Sequence, residues 1–201
     1  RMAERGHRDF GIWDYIYTTE LSLSILEGWI SEPNMFFHYS NFLVAYSEDD
    51  SHPVAAALAY VYGNINFDNW TTLESSIAMS RGFSTYDIGM MSTRWKQIET
   101  CMPKYGSPDT LVLECVATVD PNFRRCGCQI RLLTELIARG LQNNCSRVAL
   151  SCLSDNMAAQ SLYKSLGFTV DVNRTSDSFA YVLVSPGLTV MSRILTKEAD
   201  K

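Results

Sequence analysis

Apolar residues recur at Ile12, Trp13, Ile16, Leu21, Ile25, Leu26 and Trp29. Steps of three and four predict a helix over 9–29, broken near Thr18-Thr19. Two apolar runs follow, over 41–46 and 53–62, separated by the polar stretch Ser47-Glu48-Asp49-Asp50-Ser51. That layout predicts two strands joined as a hairpin, hence antiparallel. The pattern blurs between 63 and 109, apart from helical spacing over 86–102 (Ile88, Met91, Trp95, Ile98, Met102) that Pro103 and Pro108 close off. Phe67, Trp70, Met79, Phe83, Met90, Met91 and Trp95 in this region suit a substrate pocket or the ordinary packing of helices.

From residue 111 the pattern sharpens. An apolar strand over 111–119 carries Glu114 as its one acidic interruption. A helix over 128–141 places Ile130, Leu133, Leu136, Ile137 and Leu141 on one face, and 147–152 reads as the next strand. Strand, helix and strand at this spacing give a right-handed crossover and a parallel pair. A further helix over 156–166 ends at Gly167, where a C-cap glycine is expected. Runs over 168–172, 180–184 and 189–195 read as closing strands in hairpin-like order. The expected class is α/β, a single domain over 1–201 with a mixed sheet covered by helices on both faces.

Composition narrows the classes of function. With 201 residues, 46% hydrophobic and 19% charged, the chain is long enough for one full core. No apolar run approaches the ~20 residues of a membrane span. The start, Arg1-Met2-Ala3-Glu4-Arg5, lacks the layout of a secretory signal, and a first residue other than methionine leaves the natural N-terminus open. A net charge of −5 without a basic tract argues against nucleic acid as a partner. The acidic balance is compatible with a cationic substrate without singling one out. Six cysteines, at 101, 115, 126, 128, 145 and 152, match no paired zinc spacing. They are expected to be reduced and mostly buried, in a cytoplasmic protein without a metal site.

The chemistry concentrates where the strand over 111–119 runs into the following helix. The sequence there is Val119-Asp120-Pro121-Asn122-Phe123-Arg124-Arg125-Cys126-Gly127-Cys128-Gln129. A helix start offers N–H groups without acceptors and a dipole that favours anions, while a glycine lets a ligand approach the backbone. The arginines add charge. A phosphate-bearing ligand is the natural occupant of such a turn.

This segment resembles the pyrophosphate loop of the GNAT superfamily of acetyl-CoA-dependent N-acetyltransferases. The later stretch from Asn156 through Ala159, Leu162 and Tyr163 to Gly167-Phe168 is similar to that family's Asn-x-x-Ala-x-x-Leu-Tyr-x-x-x-Gly-Phe helix. The two motifs occur in the family's order and cover 111–168, and the preceding helix and hairpin also fit. The resemblance implies a GNAT fold: a mostly antiparallel sheet with a splayed central parallel pair. It implies acetyl-CoA as cosubstrate and a small amine as acceptor, with no membrane, nucleic-acid or metal partner; a homodimer is compatible with it.

Residue by residue, the resemblance implies that backbone groups of Arg125, Cys126, Gly127, Cys128, Gln129 and Ile130 hold the coenzyme A pyrophosphate, with Arg124 or Arg125 adding charge-assisted bonds. Main-chain groups of Val116, Ala117, Thr118 and Val119 would meet the pantetheine arm. Tyr163 matches the tyrosine that protonates the departing sulfur, since a phenol of ordinary pKa ~10 keeps its proton at neutral pH. Asn156 matches an asparagine that binds the pantetheine arm or starts the helix, and its residue type equally suits a plain N-cap. For Tyr163 the plain alternative is a core aromatic.

A base must free the attacking amine of its proton. Glu114 is the candidate, as a carboxylate in an apolar strand; pairing with an arginine or a backbone N–H is the competing use. Ribosomal-protein acetyltransferases place a base at the position of Ser151, and a serine does not serve at neutral pH. Gln129 stands where the family usually has glycine or alanine, so its side chain must swing aside or bond to phosphate. Two functions stay open: an acetyltransferase acting on a small amine, favoured by Tyr163 and Glu114, and a GNAT-like acyl-CoA-binding regulatory module, favoured by Gln129 and Ser151.

Overall fold

The computed structural model describes residues 11–49, 52–65 and 70–196. Two helices come first, α1 (Ile12–Tyr17) and α2 (Thr19–Ser31), and they part at Thr18, whose φ is +67°. A β-branched residue rarely takes that conformation, so the break is held from outside the turn. Asp14 supplies the hold: its buried carboxylate accepts from the Gly11 amide at 3.0 Å and from the Ser22 hydroxyl at 3.1 Å, tying one helix to the other. The expected helix start at Asp9 and the turn residues Asp50 and Ser51 lie outside the described residues.

The hairpin forms as expected from β1 (Phe42–Tyr46) and β2 (Pro53–Val61), paired antiparallel with Phe42 opposite Leu58. Between 63 and 109 the chain builds α3 (Trp70–Ser80) and α4 (Thr85–Ile98). The pattern gave no sign of α3, because its sequence is rich in serine and threonine. Ser84 caps α4 by accepting from the Asp87 amide, and a single 3₁₀ turn (Glu99–Cys101) follows.

Next come β3 (Thr110–Thr118), α5 (Cys128–Gln142), β4 (Arg147–Leu153), α6 (Met157–Ser165), β5 (Thr169–Thr175), α7 (Asp177–Leu183) and β6 (Gly187–Ile194). The run expected to be a strand over 180–184 is instead α7. Ser176 accepts from the Phe179 amide as N-cap and Asp177 sits in the first turn, which outweighs the strand-forming Tyr181 and Val182. Helix formation buries Phe179 and Leu183 and leaves Tyr181 in solvent, a split that a helical period makes possible.

The six strands form one sheet in the order β1-β2-β3-β4-β6-β5, antiparallel everywhere except β3 against β4. One face carries α1, α2, α3, α4 and α7 on a core that includes Trp13, Trp29, Phe37, Leu58 and Phe179. The other carries α5 and α6 on a core of Leu113, Leu133, Leu136, Leu150, Tyr163 and Met191. On α5 the buried stripe is Leu132, Leu133, Leu136 and Ile137, each contributing about 1.5–3 kcal/mol when fully buried. Ile130 stands exposed instead, two residues before the stripe begins. Only Cys101 and Cys145 are buried; Cys126 is exposed and the other three are half-buried, fewer in the core than expected. Among the described residues no helix is long and apolar enough to cross a membrane, and no group of His, Cys, Asp and Glu is arranged to hold a metal ion.

Candidate active site

The site begins with an irregularity in β3. Leu58 of β2 stands opposite Glu114, but Ala56 stands opposite Ala117, so β3 spends one extra residue on that span. This is a β-bulge, and it falls at Cys115, whose φ is +52°. The bulge interrupts side-chain alternation. Glu114 touches Tyr60 and Cys115 packs against the same many-helix face, while Val116 returns to the face of α5 and α6.

Pairing with β4 ends at the same point. Thr110 to Leu113 run in register with Arg147 to Leu150, and beyond Leu113 and Leu150 the two strands have no ladder. The parallel pair therefore splays, as expected. The Val119 amide donates to the Val54 carbonyl at 2.9 Å, toward β2. By alternation, the main-chain groups of Thr118 and Val116 point the opposite way, into the gap.

At the end of β3, Asp120 accepts from the Asn122 amide at 2.9 Å and starts a 3₁₀ turn (Pro121–Phe123). Its carboxyl is held below the ordinary carboxylate range, chiefly by that amide and also by His52, whose Nε2 lies 3.1 Å away. Arg125 (φ +65°) and Gly127 (φ +78°) then take left-handed conformations, and Gly127 is the N-cap of α5. A Cβ at Gly127 would meet nothing within 4 Å, so the glycine is there for its backbone angle and leaves the helix end open. The first helical bond runs from the Arg131 amide to the Gly127 carbonyl. Among the described residues, the amides of Arg125, Gly127, Cys128, Gln129 and Ile130 find no backbone acceptor, whereas Cys126 donates to Phe123 at 3.4 Å.

Opposite this turn, the Asn156 side chain accepts from the Ala159 amide at 3.1 Å, so it caps α6 as its residue type allows. Tyr163 is 6% exposed on the inner face of that helix, its ring 6.1 Å from Phe168. Burial, and secondly Cys152 beside it, push its phenol well above the ordinary value. Burial raises the Cys152 thiol to about 11. Gly167, at φ +83°, ends the helix where the sequence put it.

A single cleft of about 1050 Å³ joins these parts. Glu114 through Thr118 line it, with Arg124, Arg125, Gln129, Cys152, Asn156 and Tyr163. Val119, Cys126, Gly127, Cys128 and Ile130 are not on its wall. On the many-helix side the wall is aromatic: Trp13, Phe36, Tyr60, Trp70, Trp95 and Tyr105. Tyr60 donates to Glu114 Oε1 at 3.2 Å, and Tyr105 to the Ser151 hydroxyl at 3.4 Å. Burial and then the Glu114 charge lift the Tyr60 phenol far above its usual range, so it stays a donor.

Of the pocket residues suggested between 63 and 109, Trp70 and Trp95 reach the cleft. Phe83 and Met91 are buried, Met79 is exposed, and Phe67 lies outside the described residues. Sequence reading missed Trp13, Phe36, Tyr60 and Tyr105 as wall residues. Nothing in their local spacing separates them from core aromatics.

The architecture is that of solved acetyltransferases. An N-acetyltransferase from Staphylococcus aureus Mu50 superposes with a TM-score of 0.60 at 19% identity, over 90% of this chain and 89% of that one. A crystal structure of an acetyltransferase gives 0.59 at 17% identity, over 89% and 82%. SsHAT gives 0.61 at 12% identity, over 97% and 90%. No curated protein sequence matches the chain. Residues 88–168, from the first turn of α4 to just past α6, match the model of the Acetyltransferase (GNAT) family. The chain thus has the GNAT acetyltransferase fold and is similar to that family over this segment.

Proposed function

We propose that this chain transfers an acetyl group from acetyl-CoA to the nitrogen of a small primary amine by direct attack. The observation that carries the reading is one cleft holding Glu114 and Tyr163, on strands and helices that meet at the splayed pair. The residues present fit the donor. Its diphosphate suits the amides of Arg125, Gly127, Cys128, Gln129 and Ile130, which find no backbone acceptor among the described residues, with Arg124 and Arg125 adding positive charge. The backbone of Val116 and Thr118 suits an extended amide-bearing arm lying in the gap. A volume of about 1050 Å³ lies just above the ~300–1,000 Å³ of single-ligand pockets, consistent with two substrates together.

Bound there, acetyl-CoA supplies an activated thioester carbonyl as the acyl donor. Glu114 takes the proton of the incoming ammonium, directly or through water, and Tyr60 fixes the orientation of that carboxylate. Tyr163 keeps its proton at neutral pH, because burial raises its pKa, and gives it to the departing sulfur. Gln129 lies on the cleft wall and is a further hydrogen-bond partner for phosphate.

The test is thiol release from acetyl-CoA across a panel of primary amines. Amine-dependent release, lost in Glu114→Ala, is the expected result. Coenzyme binding without release for any amine would leave the chain a binding module and overturn the enzymatic reading.

A further inference from the structure

Resting on the acetyl-transfer reading, we propose that Cys152 is a modification site, which captures coenzyme A as a mixed disulfide when the coenzyme arrives in disulfide form. Tyr163 marks where the sulfur would lie. Its side chain is 6% exposed and lines the cleft, yet its hydroxyl has no hydrogen-bond partner among the described residues. A buried hydroxyl is seldom left without one, so a ligand in the cleft is its natural partner. With acetyl-CoA as donor, that partner is the coenzyme sulfur.

Cys152 stands beside that point. It lies on β4 two residues past Leu150, where the ladder with β3 has already ended, and it is half-buried on the cleft wall. It packs with Tyr163 and Val116 on the face of α5 and α6, close enough for its charge to act on the phenol. The other thiols are placed differently. Cys115 lines the cleft but packs against the opposite face. Cys126 and Cys128 flank Gly127 in the anion-binding turn, off the cleft wall, and Cys101 and Cys145 are buried.

The step needs only a disulfide of coenzyme A as co-reactant. The Cys152 thiolate attacks the coenzyme sulfur, and one S–S bond forms as the other breaks. The departing thiolate takes up the proton that Cys152 gave up, so Cys152 is oxidised and the departing thiol is reduced. Burial raises the Cys152 thiol to about 11, so little thiolate is present at neutral pH and disulfides free in solution react slowly. A disulfide anchored by the anion-binding turn is held against the thiol, and its effective concentration offsets that slowness. The site therefore selects disulfides that carry the coenzyme. The adduct fills the donor's place and excludes acetyl-CoA until a thiol reductant reverses it.

The probe is the mixed disulfide of coenzyme A and methanethiol, whose methylthio group is no bulkier than an acetyl group. Its control is the same disulfide of N-acetylcysteamine, the end of the arm without the nucleotide. Peptide mapping by mass spectrometry should find coenzyme A on Cys152. It should form about a hundredfold faster than the control modifies that thiol, and excess acetyl-CoA should suppress it. The adduct should melt above the unmodified chain, show no further shift with acetyl-CoA, and revert with dithiothreitol. No adduct, an adduct on Cys115 or Cys126 in its place, a methylthio group on Cys152 instead of coenzyme A, or a control that reacts as fast would each overturn the proposal. The wild-type chain decides all of these without a variant. Thermal shift by acetyl-CoA and the amine panel, both on the unmodified chain, separate the two levels. A retained shift and amine-dependent thiol release without the adduct sink only capture at Cys152; the adduct without release for any amine sinks only acetyl transfer.

Discussion

Tyr60 and Glu114 meet diagonally across two antiparallel strands: Tyr60 stands opposite Val112, Glu114 opposite Leu58, and the phenol donates to the carboxylate at 3.2 Å. Diagonal neighbours on adjacent strands lie about 7–8 Å apart, within reach of aromatic and long side chains such as these two. Tyr60→Phe keeps the ring and removes the bond. It should cost about 1 kcal/mol in urea denaturation and slow turnover about fivefold, the kinetic equivalent of one lost hydrogen bond. Unchanged values in both measurements would mean that Tyr60 does not orient Glu114.

Acetyl-CoA at a hundred times its dissociation constant should stabilise the protein by about 2.7 kcal/mol, or about 5 to 11 °C in melting temperature for a chain of this size. Gly127→Glu should abolish that shift by setting a carboxylate against the open helix end. Gly127→Ala is the control. Its Cβ meets nothing within 4 Å, so it should cost about 1 kcal/mol for the left-handed backbone and keep ligand stabilisation. Ligand stabilisation surviving in the glutamate variant would move the anion site elsewhere.

Tyr163→Phe should reduce kcat by about a hundredfold while the KM for acetyl-CoA changes less than about twofold. Because the Tyr163 pKa is raised, wild-type activity should show no alkaline loss from this group up to about pH 10. Full turnover in the phenylalanine variant would make Tyr163 a core aromatic and nothing more.

A second, partly buried pair gives a pH signature. The Tyr17 hydroxyl donates to Glu74, and burial raises the Glu74 carboxyl from its ordinary 4.5, partly offset by that bond. In the window above 4.5 the folded chain holds a proton that the unfolded chain has lost, so the contribution of this group to stability declines as pH rises through the folded value. Glu74→Gln should match wild type near about pH 4 and gain on it toward about pH 7 in urea midpoints. Parallel curves would show that ionised Glu74 is well solvated.

The central unit over 111–168 was legible because each of its signals is local: an apolar strand, a glycine-bearing turn, a strong helical stripe and a capping asparagine before Tyr163. The break at Thr18 was also visible, as an interruption of period. α3 was not, since Trp70-Thr71-Thr72 and Ser75-Ser76 dilute both periodicity and propensity. α7 was misread because Val182, Leu183 and Val184 weigh toward strand, although Ser176-Asp177 signalled a helix start. Candidate residues of the coenzyme side lie within fifty residues of sequence, from Val116 to Tyr163. The aromatic wall draws on positions from Trp13 to Tyr105, and only the fold brings them to one cavity.

The ladder between β2 and β3 needs one residue fewer than the chain supplies between Glu114 and Ala117. Cys115 is that surplus. Excising it would leave Glu114, Val116 and Ala117 facing the layers they face now, since a regular strand of the shortened sequence alternates in the same order. The core would be preserved, yet the strand would straighten and draw toward its parallel neighbour. An opening for chemistry has therefore been made in an otherwise conventional sheet by lengthening one strand by a single unit, at a position where no packed side chain had to change sides.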